Sequence, residues 1–212
     1  MRCFLSLWRA RRRVYASPLL TLFAAAIYLV PGADMALRYV GEISASDSWR
    51  FLTSHWVHWS FEHLVWSGGA FLVLGWVCEG RGRIRFLATT VAAALAIPVA
   101  LRLWQPGLEA YGGLSGIDSA LFGLLCTQEI RKHWIRRDWR WLSLPTIFFG
   151  GFLVKLAYEY STLEAIFVSH TDAMVPVPLA HLVGAAVGVI AAFNLERIFL
   201  WKSETFCTRS AS

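Results

Sequence analysis

Six apolar stretches separated by polar connectors run along the 212-residue chain. A helix needs roughly 20 apolar residues to cross about 30 Å of hydrocarbon. The stretches approach that length, with small or polar residues interrupting some of them. They cover residues 14–30, 63–78, 86–103, 115–130, 142–160 and 177–200. The pattern predicts an all-α membrane protein with a bundle of six transmembrane helices.

The amino-acid composition argues against a water-soluble protein. Hydrophobic residues make up 57% of the chain and charged residues only 16%, with Trp 11 and Phe 14 among them. An ordinary water-soluble domain carries more charge and fewer large apolar side chains. A membrane protein is therefore the class that the composition favours.

The basic residues predict how the chain is oriented, because Lys and Arg accumulate in cytoplasmic loops. All but Arg38, Arg50, Arg102 and Lys155 fall in connectors or tails on one side of the bundle. We expect a basic cytoplasmic segment over residues 1–13, a membrane domain over 14–202 and a cytoplasmic tail over 203–212. Because the net charge of +6 is explained by topology, no nucleic-acid partner is expected.

The first stretch has an alternative interpretation as a secretory signal peptide, with a cleavage region over residues 31–36. No convincing pair of small residues marks a cleavage site there, and five more apolar stretches follow. We therefore expect an uncleaved first span.

The connector over residues 32–62 mixes aromatic and polar side chains in a way that suits the lipid headgroup region. It contains Trp49, Trp56, Trp59, Phe61, His55, His58, Asp47 and Arg50. We expect a half-submerged loop between the first and second helices. An aromatic belt that only anchors a connector is the simpler alternative.

Three polar groups share one depth: His63, Ser115 and His181 each begin a span that descends from the outer face. Polar groups at that depth cost free energy without partners and indicate function by default. Small residues follow both Ser115 and His181 at helical spacing, at Ser119, Gly123, Gly184 and Gly188. Such faces let two helices approach closely enough for a Ser-His hydrogen bond. The alternative is ordinary glycine-mediated packing, with Ser115 as an N-cap and His181 bonded to a carbonyl.

The chain resembles the rhomboid intramembrane serine proteases in three blocks. These are Trp49-Arg50-Phe51-Leu52-Thr53 leading to His58 and His63, then Gly112-Gly113-Leu114-Ser115-Gly116, then Ala180-His181-Leu182-Val183-Gly184 with Gly188. The resemblance implies Ser115 as nucleophile and His181 as its base, without metal or organic cofactor. It also implies that the Ser115 backbone and His63 form the oxyanion hole and that Trp49 and Arg50 belong to a membrane-embedded loop. The implied partners are the bilayer and single-pass transmembrane substrates, cut near their extracytoplasmic boundary in a bacterial inner (plasma) membrane.

Five positions depart from the pattern or lie outside it. Ser67 stands where many rhomboids have an oxyanion-hole asparagine; its hydroxyl could still donate there, with a shorter reach. Ser119 stands where an aromatic residue is common. We expect Asp118 to pair with a neighbouring helix or Ser119, although a third catalytic role stays open. Lys155 and Glu159 are four residues apart and are expected to neutralise each other.

The sequence also suggests a subgroup within the family and leaves two other functions open, an inactive client-binding protein and a metal enzyme. The Gly41-Glu42 lead-in before Trp49 is similar to rhombosortases, which are implied to process proteins with a carboxyl-terminal Gly-Gly sorting tail. A catalytically inactive rhomboid-like protein that binds transmembrane clients is the main alternative. A metal site could be drawn from His55, His58, His63 and Glu62, but no H-E-x-x-H helix is present. The sequence predicts no oligomeric state.

Overall fold

The computed structural model describes residues 14–41, 45–162 and 177–209, and these ranges are mostly helical. The α-helices are α1 (Ala16–Tyr28), α2 (Ala33–Leu37), α3 (Arg50–Thr53), α4 (Phe61–Trp104), α5 (Ser115–Ile135), α6 (Trp139–Thr162) and α7 (Pro178–Arg209). The side chains of α7 are described as far as Phe193. The all-α class predicted from the apolar pattern is confirmed.

The second and third predicted spans are two halves of α4. They are joined through Gly82, whose φ of 179° and ψ of 100° are extended rather than helical. The kink falls among Arg81, Arg83 and Arg85, where the charge pattern breaks the apolar run. Both α4 and α6 are long and apolar enough to cross a membrane by length and composition, and α1 and the first half of α7 are shorter apolar helices.

The connector between α1 and α4 is folded into short elements. Besides α2 and α3 it contains the strand β1 (Tyr39–Val40) and two 3₁₀ turns, Ala45–Asp47 and Ser54–Trp56. Strand β1 pairs antiparallel with β2 (Ala110–Tyr111), so that Tyr39 faces Tyr111. The sequence did not predict this pairing. It fastens the connector to the segment that leads into α5.

A buried carboxylate holds α1 against the C-terminal end of the first half of α4, next to the Gly82 kink. Glu79 is fully buried and accepts hydrogen bonds from the backbone N–H groups of Tyr15, Ala16 and Ser17 at 3.3, 3.1 and 2.9 Å. The N-terminal turn of a helix leaves such N–H groups without intrahelical partners and favours negative charge. Arg83 donates to the same carboxylate at 3.1 Å. Glu79 thus caps a helix that has no capping side chain of its own.

Helix α5 is the central element, and α7 lies against it almost backbone to backbone. Gly184 contacts the carbonyl oxygen of Gly116, and Gly188 contacts that of Ala120. A Cβ atom on Gly123 would lie only 2.7 Å from the carbonyl oxygen of Ala185. The close packing predicted from the small residues is confirmed. Larger side chains at these positions would push α7 away from α5.

Replacement of Gly188 by alanine is expected to destabilise the protein, because the added methyl group has no room beside Ala120. Overpacking of this kind costs about 1–3 kcal/mol. The measurement is thermal unfolding in detergent micelles, followed by circular dichroism, where Gly188→Ala should unfold several degrees below the wild type.

Gly150→Ala in α6 is the matched control, since nothing lies within 4 Å of a Cβ there. Alanine favours helix over glycine by about 1 kcal/mol, so this variant should be neutral or slightly more stable. Equal unfolding temperatures for the two variants would contradict the close packing of α5 on α7.

Candidate functional site

Ser115 is the first residue of α5 and is partly exposed. The chain reaches it through Gly113, whose φ of +119° is a conformation that side-chain-bearing residues rarely adopt. The Gly113 N–H donates to the carbonyl of Ser54 at 3.0 Å, which ties this turn to the connector. As part of the first helical turn, the Ser115 N–H has no partner within its own helix. Hydroxyl and N–H are therefore presented together at the start of α5.

His63 lies against the glycine turn that precedes Ser115. A Cβ atom on Gly113 would be 2.9 Å from Nε2 of His63, so only glycine leaves room for this ring. His63 sits in the first turn of α4, where Ser60 acts as N-cap and accepts from its N–H at 3.1 Å. The ring of His58 packs edge-on against it, with centroids 5.0 Å apart. The imidazole of His63 is thus held beside Gly113, two residues before the candidate nucleophile Ser115 in the chain.

His181 lies in the first turn of α7, at the level of Ser115. A Cβ atom on Gly116 would be 3.3 Å from the carbonyl oxygen of Ala180, and Gly184 contacts Gly116 in turn. Because Ser115 precedes Gly116 and His181 follows Ala180, the two residues flank the same helix contact. Among the hydrogen bonds of the described residues, none joins the Ser115 hydroxyl to the His181 ring. The Ser119 hydroxyl donates instead to the Ser115 carbonyl at 2.9 Å.

A carboxylate from α6 lies beside the His181 ring. Oε2 of Glu159 lies 3.5 Å from Nδ1 of His181, and Oε1 accepts from Nζ of Lys155 at 2.6 Å. The expected pairing of Lys155 with Glu159 is confirmed. The contact of Glu159 with His181 was not predicted, because pairing with Lys155, one turn away on α6, already accounted for the charge of Glu159. Matching the position of Glu159 near the C-terminal end of α6 with that of His181 near the start of α7 was the signal that could have found this contact.

Ser67 and Asp118 meet across α4 and α5, one turn below His63 and Ser115. The Ser67 hydroxyl donates to Oδ2 of Asp118 at 3.4 Å, and both side chains are buried. The expectation that Asp118 pairs with a neighbouring helix is therefore confirmed. The hydroxyl of Ser67 is already engaged by this carboxylate, below the turn that holds Ser115.

Trp49 and Arg50 organise the connector at some distance from these groups. Arg50 donates to the carbonyls of Met35 and Arg38 at 3.1 and 3.2 Å, and its guanidinium lies 5.0 Å from the ring centre of Trp49. Trp49 is 43% exposed. Arg50 therefore joins α2 to α3 and gives the connector a fixed shape.

His55 and His58, the two histidines of the connector, bond backbone carbonyls. His55 donates from Nε2 to the carbonyl of Ala94 at 3.0 Å, and His58 from Nδ1 to that of Trp56 at 3.2 Å. Burial lowers the pKa of His55 to about 4; burial and the neighbouring His63 lower the pKa of His58 to about 3. Both rings are thus neutral near pH 7. Within the described ranges, no three His, Cys, Asp or Glu side chains are grouped as metal ligands would be.

Comparison with known proteins identifies the family of this chain. A search of curated proteins finds no match to the chain. The family model of the rhomboid domain matches residues 45–198, which run from before α3 into α7 and contain every candidate site residue described above. The chain therefore belongs to the rhomboid family, whose members are generally intramembrane serine proteases.

Proposed function

We propose that this protein is an intramembrane serine endopeptidase in which Ser115 is the nucleophile and His181 its general base. The observation that carries the proposal is that α4, α5 and α7 begin at the same level, with His63, Ser115 and His181 in their first turns. Gly113 receives the ring of His63, while the contact of Gly116 with α7 brings His181 to the level of Ser115. Serine and histidine side chains that can approach within hydrogen-bond reach are the signature of an activated nucleophile.

The chemistry assigns a separate task to each group. His181 takes the proton of the Ser115 hydroxyl as its oxygen attacks the substrate carbonyl. The tetrahedral intermediate then carries a negative charge, which fixed hydrogen-bond donors stabilise. The N–H of Ser115 in the first helical turn and the ring of His63 are the candidates. The position of Ser115 at the start of a 21-residue helix adds the positive end of the helix dipole. Ser67, one turn along from His63, is a third candidate donor.

An integral membrane protein follows from the family and the apolar helices. We further propose six spans over residues 14–202, counting the two halves of α4 separately, with 1–13 and 203–212 as cytoplasmic tails. The arginines around the Gly82 kink support this topology, because the kink would then be a cytoplasmic hairpin. Ser115, His63 and His181 would all open to the extracytoplasmic side of a bacterial inner membrane.

Replacement of either dyad residue is expected to abolish proteolysis without unfolding the protein. Ser115→Ala removes the nucleophile, and His181→Ala removes the base that activates it. The measurement is covalent labelling of the full-length protein in lipid nanodiscs by a fluorophosphonate probe, with helical content followed in parallel. The wild type should be labelled and both variants should not.

Ser143→Ala is the control, because Ser143 is an exposed serine of α6 whose hydroxyl bonds only its own helix. It should be labelled at the wild-type rate. A folded wild type that resists the probe would favour the inactive, client-binding alternative, and labelling of Ser115→Ala would show that another residue is the nucleophile.

Ser67→Asn tests whether this position serves the oxyanion hole. The longer amide can reach further toward Ser115 than the hydroxyl that now donates to Asp118, so the labelling rate should be preserved or raised. Ser67→Ala, which lacks a donor, should be labelled more slowly. A severe loss in Ser67→Asn with normal folding would argue against a donor role for residue 67.

The substrate class that we propose is a single-pass transmembrane protein, with the Gly-Gly sorting tail of rhombosortase substrates as its finer form. Glycine lowers the cost of unwinding a helix before it enters the site. Co-expression with a single-pass reporter bearing a Gly-Gly tail should therefore give a shortened product that depends on Ser115. Replacing both glycines by valine should prevent cleavage, and equal cleavage of the two reporters would contradict the rhombosortase assignment.

A further inference from the structure

Glu159 is a membrane-depth carboxylate that the dyad chemistry above does not use. Its side chain is only 3% exposed, although α6 presents most of its surface outward. A buried charge without partners is expensive, so its two oxygens must be accounted for. Oε1 accepts from Lys155 at 2.6 Å, and Oε2 lies 3.5 Å from Nδ1 of His181.

The contact between Glu159 and His181 joins two atoms that otherwise stand alone. Both Oε2 of Glu159 and Nδ1 of His181 are buried, and the described residues supply neither with a hydrogen bond. A separation of 3.5 Å is an ion-pair distance slightly longer than a good hydrogen bond. A shift of a few tenths of an ångström would close it, and the cost of leaving both atoms unpaired favours that closure.

We propose that Glu159 is the positioning residue of His181. This inference rests on the proposed function, in which His181 is the general base. When Nδ1–H donates to Glu159, the ring is held in the tautomer whose Nε2 lone pair can accept a proton. The carboxylate also stabilises the imidazolium that forms when His181 takes the proton of Ser115. Lys155 holds this carboxylate in place, because it donates to the other oxygen.

Few other charged groups bear on the His181 ring. From α4 the neighbouring titratable group is His63, which interacts electrostatically with His181 and against which His58 of the connector packs. From α5 the carboxylate at this end of the bundle is Asp118, which pairs with Ser67. From α6 Glu159 faces the ring directly, with Lys155 behind it. Glu159 is thus the carboxylate in contact with the ring among the described residues.

The fluorophosphonate reaction isolates the step in which Glu159 acts. The Ser115 oxygen forms a bond to phosphorus, the phosphorus–fluorine bond breaks, and fluoride leaves as the anion. The Ser115 proton passes to Nε2 of His181, so the positive charge develops on the ring that Glu159 faces. The labelling rate and its pH dependence therefore report on the carboxylate without knowledge of the natural substrate.

The test measures the labelling rate of full-length protein in nanodiscs from pH 5 to 9. Glu159→Gln keeps an acceptor for Nδ1–H and removes the charge. We expect its maximal rate to fall about ten- to a hundred-fold, by analogy with the loss of the outer partner of a metal-ligating histidine. The pH profile of the rate should also differ from that of the wild type, since the variant lacks the charge that faces the ring in which the proton is taken up. Glu129→Gln, at a carboxylate paired with Arg81 and Lys132 at the other end of α5, is the control and should match the wild type.

A Glu159→Gln variant with the wild-type rate and the wild-type pH profile would overturn this inference while leaving the dyad intact. Failure of the wild type to label would instead overturn the proposed function. If Glu159→Gln does not fold, ¹⁵N NMR of histidine-labelled wild type decides, with the His181 signals assigned by their loss in His181→Gln. The Nδ1–H tautomer supports the inference, and the Nε2–H tautomer contradicts it.

Discussion

The close approach of α5 and α7 is the constraint on which the rest of this structure depends. Two helices can come this near only where side chains are absent, and the contacts of Gly184 with Gly116 and of Gly188 with Ala120 meet that condition. Carbonyl oxygens of one helix then lie against α-carbons of the other, where weak C–H···O attractions help. The same approach sets the height of His181 relative to Ser115. Packing and candidate chemistry therefore share the same residues.

Each buried carboxylate described here has a defined structural partner. Glu79 receives the N-terminal N–H groups of α1, Asp118 receives the Ser67 hydroxyl, and Glu159 receives Lys155. In a hydrocarbon environment an unpaired carboxylate costs several kcal/mol, so these pairings restrict how the helices can be arranged. The pair on α6 has a further consequence, since it carries a charge to the edge of the candidate site.

The helices could be predicted from the sequence because long apolar runs have few structural alternatives. The positions of Ser115 and His181 at helix starts followed from the same runs and their small-residue faces. The pairing of β1 with β2 could not be predicted, since two residues per strand are too few to show alternation. The contact of Glu159 with His181 was missed for another reason. Lys155, one turn away, already explained the charge of Glu159. Only the packing of α6 beside α7 reveals that the second oxygen of Glu159 faces His181.

The central claim is that these helix contacts hold the Ser115 hydroxyl and the His181 ring within reach of each other. An experimental structure of the protein after reaction with a fluorophosphonate measures this most directly. The account predicts phosphorus bonded to Oγ of Ser115 and Nε2 of His181 within about 2.6–3.2 Å of that oxygen. An adduct on another residue, or a His181 ring turned away from Ser115, would contradict it.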